Sequence, residues 1–351
     1  MAPWKWHHLL LAAALAVVLA TTLSLRGLAF AQTQPQLVSA YLASGLPTAD
    51  PTAAAWGRAN PVEVPLTAQN IVLPMLGTGS IPTIQVRSLN DGAWIAFRLE
   101  WADATKNDKA IAQDQFRDAA AIQLPLNQTV PGVCMGVRGQ PVNLWHWKAD
   151  WQNDIDNGFQ DLFAAYPNFW KDYYPFAVGT PPFKAPVDFA GPDARRFLVG
   201  WAVGNPLSDP ARVTPVEELV AEGFGSATHR VQQTVLGRGV WAAGKWSVVF
   251  ARPLRTSEQT QAQLAPGGKG IIAVAAWDGA NMEVGARKQV SADLALTIAG
   301  PTGAPQAAAE APAQGANYWW LAIPVGLAAL VIGSGLAGML MTIYYRSRPR
   351  P

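Results

Sequence analysis

A single cysteine, Cys134, serves all 351 residues. No disulfide can close within the chain, and no paired-cysteine zinc or iron–sulfur site can be built. Charge is scarce too. Only 14% of residues are charged and the net charge is +2, which leaves no basic field for nucleic acid. CxxCH, HExxH, GxSxG and GxxxxGK[ST] are all missing. Covalent c-type haem, zinc-protease, serine-hydrolase and phosphate-loop chemistry are excluded with them. Long apolar runs occur only near the two ends, and between them the histidines are His146 and His229.

What is abundant is tryptophan, with 15, together with 28 prolines and 31 glycines. Large flat side chains suit a core or pocket, and so many turn formers argue against a helical bundle. At the N-terminus Lys5 precedes the apolar run LLLAAALAVVLATTLSL. Ala29-Phe30-Ala31 then offers small residues at a cleavage site before Gln32, so residues 1–31 are expected to be a secretory signal peptide. At the C-terminus YWWLAIPVGLAALVIGSGLAGMLMTIYY (318–345) exceeds the ~20 residues that cross a bilayer and has aromatic flanks. It ends at the arginine-rich 346–351, expected to be a cytoplasmic tail. A Pro/Ala/Gly linker, 299–317, precedes it. The expected topology is a single-pass protein of the cell membrane, its main domain, residues 36–298, outside the cytoplasm. Cys134, with no partner in an oxidising compartment, reads as a small buried hydrophobe.

Within residues 36–298 the apolar pattern has period two or comes in short runs. IPTIQVRSL and AWIAFRLEW flank Asn90-Asp91-Gly92, a hairpin signature. AAAIQLPL, PVNLWHW, RFLVGWAV, HRVQQTVL, KWSVVFARPL, GIIAVAAWD and VSADLALTI are further strand candidates. Only Asn153–Tyr166 and PVEELVAEG look helical, and Glu217-Glu218 in the latter read as a solvated face. The expected fold is mainly β, an antiparallel β-sandwich with short helices plus the C-terminal transmembrane helix. Residues 152–192 read as a long aromatic- and proline-rich insertion.

No constellation nominates an enzyme. A noncovalent cofactor held by uncommon ligands is left, since haem iron accepts a thioether and also a lysine amine once burial has neutralised it. Met135, beside Cys134, is open to that reading or to plain core packing. An ordered block series then carries a resemblance: DAAAIQLPL, VCMGVRGQPVNLWHWKADW, GNPLSDPARVTPVEELVAEGFGSATH, GRGVWAAGKWSVVFARPL and AAWDGANMEVGARKQVSADLAL. The series resembles the haem-binding γ subunit of ethylbenzene dehydrogenase and its relatives in dimethylsulfide dehydrogenase, selenate and chlorate reductases and nitrite oxidoreductase. The likeness runs over about Gln85–Ile298.

The resemblance implies a β-sandwich with one haem b per chain, held noncovalently between a methionine and a lysine. It implies a non-catalytic role, passing electrons to or from an iron–sulfur subunit bound to a molybdopterin catalytic subunit. A cytochrome or a quinone-linked carrier is the further redox partner. By position the ligands are Met135 and Lys288, with Lys245 as the alternative lysine and Lys148 third. Trp145 and Trp147 share one strand face and either wall the pocket or pack the sandwich. Arg138, Arg252 and His146 are candidates for haem carboxylates. The rival reading is an extracytoplasmic carbohydrate- or ligand-binding sandwich without haem, stacking exposed tryptophans on sugars. A haem protein catalytic in itself is disfavoured, because two protein ligands leave no open iron position.

Overall fold

The computed structural model describes residues 36–128, 135–160, 168, 200 and 203–301. Fourteen strands carry the fold: β1 Gln36–Tyr41, β2 Val62–Pro65, β3 Thr67–Ala68, β4 Thr83–Asn90, β5 Trp94–Ala102, β6 Ala119–Pro125 and β7 Val142–Lys148, then β8 Val216–Ala221, β9 Thr228–His229, β10 Leu236–Ala242, β11 Lys245–Pro253, β12 Lys269–Trp277, β13 Gln289–Val290 and β14 Leu294–Ile298. An α-helix, α1, spans Ala149–Asn157. Among the described residues no helix is long and apolar enough to cross a membrane. The expected signal peptide, the expected membrane helix, Cys134 and nearly all of RFLVGWAV lie outside the described residues.

The strand order is β10-β11-β5-β4-β1-β14-β12-β6-β7-β8-β9. The β4–β5 hairpin forms where Asn90-Asp91-Gly92 demands it: Asn90 pairs with Ile95, Gly92 takes φ +87°, and Asp91 Oδ1 accepts from the amides of Ala93 and Trp94. One expectation needs correcting. The sheet is mixed, because β1 runs parallel to both β14 and β4, a pairing made by tertiary closure and invisible to local pattern.

The two halves of this path face each other. Ile95, Phe97, Leu99 and Trp101 of β5 and Trp246, Val248 and Phe250 of β11 bury against Ile122 of β6, Trp145 and Trp147 of β7 and Val274 of β12. Edge-on contacts of Phe97 with Trp145 and of Trp101 with Trp147 join the halves across the interior. Trp246 packs edge-on to Trp147, with ring centroids 4.9 Å apart. Each buried tryptophan removes roughly 150–250 Å² from water, worth ~4–6 kcal/mol before the entropy of ordering is subtracted.

One segment expected to be helical is a strand. PVEELVAEG contains β8, paired antiparallel with β7 from Val142↔Ala221 to Trp147↔Val216. Consecutive residues of a strand point to opposite faces, so Glu217 and Glu218 are both buried, on opposite sides of the sheet. Of the helix expected at Asn153–Tyr166, the described part belongs to α1, which starts earlier, at Ala149, and ends before Gly158 at φ +87°; 161–166 lie outside the described residues. HRVQQTVL supplies only the ends of β9 and β10.

Strand β10 (LGRGVWA) carries two glycines because its neighbours need the space. A Cβ on Gly239 would sit 2.3 Å from Trp147 Cζ2, and one on Gly237 would sit 2.4 Å from Val216 Cγ2. Gly239→Ala is therefore expected to destabilise by ~1–3 kcal/mol through overpacking. In a domain of this size that lowers the unfolding midpoint by roughly 2–12 °C. Calorimetry of the two proteins side by side checks it, and an unchanged midpoint would show that Trp147 yields freely.

Candidate functional site

Strand β7 divides the tryptophans from the histidine. Asn143, Trp145 and Trp147 turn inward, while Val142, Leu144, His146 and Lys148 project from the opposite face. On that outer face Ala119, Ala121, Ala275 and Trp277 form a buried cluster with Val290 beside it. The alanines leave this surface flat. Val142, Leu144 and Ala221 continue it, with Met135 and Leu219 packed against them.

Met135 is held there by an unusual backbone. Its φ is +66°, in the left-handed region that methionine seldom adopts, and Gly136 follows at +81°. A Cβ on Gly136 would come within 2.8 Å of Gln140 O and 2.9 Å of Ala221 O, so only glycine fits. The Val137–Gln140 turn closes on itself, and Gly223 N donates to Met135 O at 2.9 Å. Backbone strain of this kind costs ~1–3 kcal/mol and persists where a side chain must be aimed.

The Met135 thioether meets Lys288. Lys288 Nζ lies 3.5 Å from Met135 Sδ, across 153 residues of sequence. Lys288 stands immediately before β13, its carbonyl accepting from Gln69 N at 2.9 Å. Its amine lies 5.2 Å from the Trp277 ring. Trp277 is anchored by its indole N–H on Gly285 O, and His146 stacks on it at 4.7 Å between ring centroids. Burial, reinforced by Lys148, Arg117 and Lys288, holds the His146 imidazole well below its usual range. That environment disfavours the charged ring, and its buried Nε2 has no hydrogen-bond partner.

The remaining expected site residues fall elsewhere. Lys245, on β11, pairs with Glu100 at 2.8 Å and its side chain is 53% exposed. Lys148 is buried and paired with Glu217, whose other oxygen lies 3.0 Å from His229 Nδ1. Burial pushes the Lys148 amine down to about 8 against the pull of Glu217. Trp145 and Trp147 belong to the sandwich interior, turned by strand alternation from the Met135–Lys288 face, which corrects them as walls of that site. Arg252 is interior as well, fully buried and 5.2 Å from the Trp145 ring. Burial lowers it to about 10, with Glu218 as the opposing charge. Arg138 is exposed on the turn after Met135. Trp277, which stands under the Lys288 amine, was nominated by no sequence motif. Its only local signal is an aromatic ending an alanine-rich strand.

A thioether and an amine side by side, next to a flat alanine-lined surface and a neutral imidazole, make a soft and weakly charged donor set. Such a pair suits a low-spin iron far better than a hard cation. Among the described residues no tryptophan is exposed.

The family model described as ethylbenzene dehydrogenase matches residues 53–289. A protein of Haloferax mediterranei that carries the name of a respiratory nitrate reductase haem subunit is 28% identical over 255 residues, covering 72% of this chain and 69% of its own. Chlorate reductase subunit gamma of Ideonella dechloratans is 26% identical over 258 residues, 73% of this chain and 82% of its own. Among solved structures, a family 9 carbohydrate-binding module from Caldicellulosiruptor kristjanssonii overlaps 76% of this chain and 94% of its own. Its TM-score is 0.31 and its identity 8%, too distant to assign a ligand.

Proposed function

The chain belongs to the ethylbenzene dehydrogenase family, and we propose on that footing that it is a haem-binding electron-transfer subunit of a molybdenum-bis(pterin) oxidoreductase complex. The observation that carries the reading is the approach of Lys288 Nζ to within 3.5 Å of Met135 Sδ. In this reading the two side chains hold the iron of one noncovalent haem b, and that group supplies one-electron chemistry when bound. Met135 contributes a thioether, which favours ferrous iron. Lys288 would contribute its amine in the neutral form, the form that has an electron pair to give to iron. Trp277 and His146 wall the amine side. Two protein ligands leave no position for substrate, so catalysis belongs to another subunit.

The relatives are named as haem or gamma subunits of reductases, which supports assembly with an iron–sulfur subunit and a molybdopterin catalytic subunit. A cytochrome or quinone-linked carrier would stand at the other end of the relay. Residues 1–31 serve as an export signal in this reading. The segment 318–345 tethers domain 36–298 to the outer side of the membrane through the linker 299–317, leaving 346–351 in the cytoplasm.

The full chain, purified in detergent, tests the reading. It should show the spectrum of a six-coordinate low-spin haem that acid-acetone extracts completely. A colourless protein that takes up no added haem but binds oligosaccharide would replace this reading with the carbohydrate-binding one.

A further inference from the structure

Away from the Met135–Lys288 pair, three aspartates converge from distant parts of the chain: Asp103 just after β5, Asp118 just before β6 and Asp278 just after β12. One carboxylate oxygen from each lies within 4.8 Å of the others. Asp103 is 7% exposed and Asp118 0%. Among the described residues none of the three forms an ion pair with lysine, arginine or histidine.

Their hydrogen bonds orient them without balancing their charge. Asp118 Oδ1 accepts from Gly279 N at 2.9 Å. Its Oδ2 accepts from Asn107 N at 2.7 Å and from the Trp246 indole at 2.9 Å. Asp278 Oδ1 accepts from Ala280 N at 2.8 Å. Asp103 Oδ1 is held by the amide and hydroxyl of Thr105 at 3.1 and 3.3 Å. Asp103 Oδ2 is different: it is buried and has no hydrogen-bond partner. A buried carboxylate oxygen without a full hydrogen bond is uncommon and calls for a water, a ligand or an ion beside it. Adjacent buried carboxylates must likewise be neutralised by a proton or a cation.

We propose that Asp103, Asp118 and Asp278 bind a Ca²⁺ ion, with Asp103 Oδ2 as one ligand and solvent completing the shell on the half-buried Asp278 side. The donor set is all oxygen, which selects a hard cation. Ca²⁺ accepts the irregular oxygen shell that side chains from three separate turns would supply, whereas Mg²⁺ demands near-ideal octahedral geometry. The ion fastens the β5–β6 connection to the end of β12, and through Asp118 to Trp246 in the sandwich interior. In its absence burial, together with Asp103, drives Asp118 up to about 7. The acid form is then the alternative way to neutralise the cluster.

The test uses the full chain, and metal analysis comes first because it needs no variant. After gel filtration in metal-free buffer, wild type should retain one Ca²⁺ per chain. Treatment with EDTA should lower the thermal unfolding midpoint by several degrees, and CaCl₂ should restore it progressively with concentration, as expected for an ion bound only by the folded state. Asp278→Asn, the least buried of the three, should abolish both retention and rescue. Wild type that retains no Ca²⁺ and ignores both EDTA and CaCl₂ would overturn the proposal. So would a midpoint that climbs as pH falls through 7 identically with and without CaCl₂, since the carboxylates would then share a proton.

Discussion

Met135→Ala and Lys288→Ala are each expected to convert a six-coordinate low-spin haem into a five-coordinate high-spin one, and the double variant is expected to purify colourless. The argument is geometric. The Met135 backbone is fixed at φ +66° by Gly136 and by the Gly223–Met135 hydrogen bond, so the thioether is aimed by the fold and its loss is not made good by a shift of the same turn. Replacing an outer partner of a metal ligand costs ~10–100-fold in affinity, and loss of a ligand itself should exceed that. Loss of the thioether should also lower the reduction potential, because its preference for ferrous iron is gone. Lys245→Ala is the control, since that side chain is solvated and paired with Glu100 of the adjacent strand β5. Unchanged spectra in both single variants would remove Met135 and Lys288 as ligands. A changed spectrum in Lys245→Ala would revive the alternative.

Glu218→Ala is expected to destabilise the domain by ~3–5 kcal/mol, the usual consequence of stripping one partner from a buried charge network. Roughly 6–20 °C of unfolding midpoint would follow in a domain of this size. The Glu218 carboxylate is fully buried and accepts from Asn143, Arg230, Gln261 and both the amide and hydroxyl of Thr234. Without it Arg230 keeps only a 3.5 Å contact to the half-exposed Glu258. Arg252, already short of partners at Nε and Nη1, loses its balancing charge. Glu218→Gln, which keeps the acceptor oxygen, should cost distinctly less. Urea unfolding of the three proteins separates charge from packing: Gln is isosteric with Glu, so packing alone would leave Glu218→Gln close to wild type, whereas a charge network makes it measurably less stable as well.

Period-two alternation made β4, β5, β6, β7, β11 and β12 legible, since each has one face in the shared core. It failed where another demand overrode it. At β10 the glycines that clear space for Trp147 and Val216 erased the apolar signal. At β8 two adjacent glutamates read as a helix surface, yet each is buried against its own partner, Lys148 on one side and Arg230 on the other. The parallel pairing of β1 has no local signature. For the site, Met135 and Lys288 are named through family resemblance; residue chemistry alone leaves Met135 open between iron ligand and core packing and does not single out Lys288. The Asp103–Asp118–Asp278 cluster left no readable trace, because its members lie on three separate turns brought together only by sheet order.

Strand β1 carries a consequence for how the domain is made. It is the first described strand, yet it hydrogen-bonds to β14, the last, and Gln36 and Thr297 meet across 261 residues. At synthesis rates of about 5–20 residues per second, roughly 13–50 s separate the appearance of those partners. Throughout that interval β1 has one of its two neighbours missing, with Leu37 awaiting burial and one edge unpaired. Closure is thus a late, long-range event, and high contact order of this kind slows folding. A chain stopped anywhere before Leu294 would be left with an open strand edge and a half-built core, a ready substrate for chaperones and proteases.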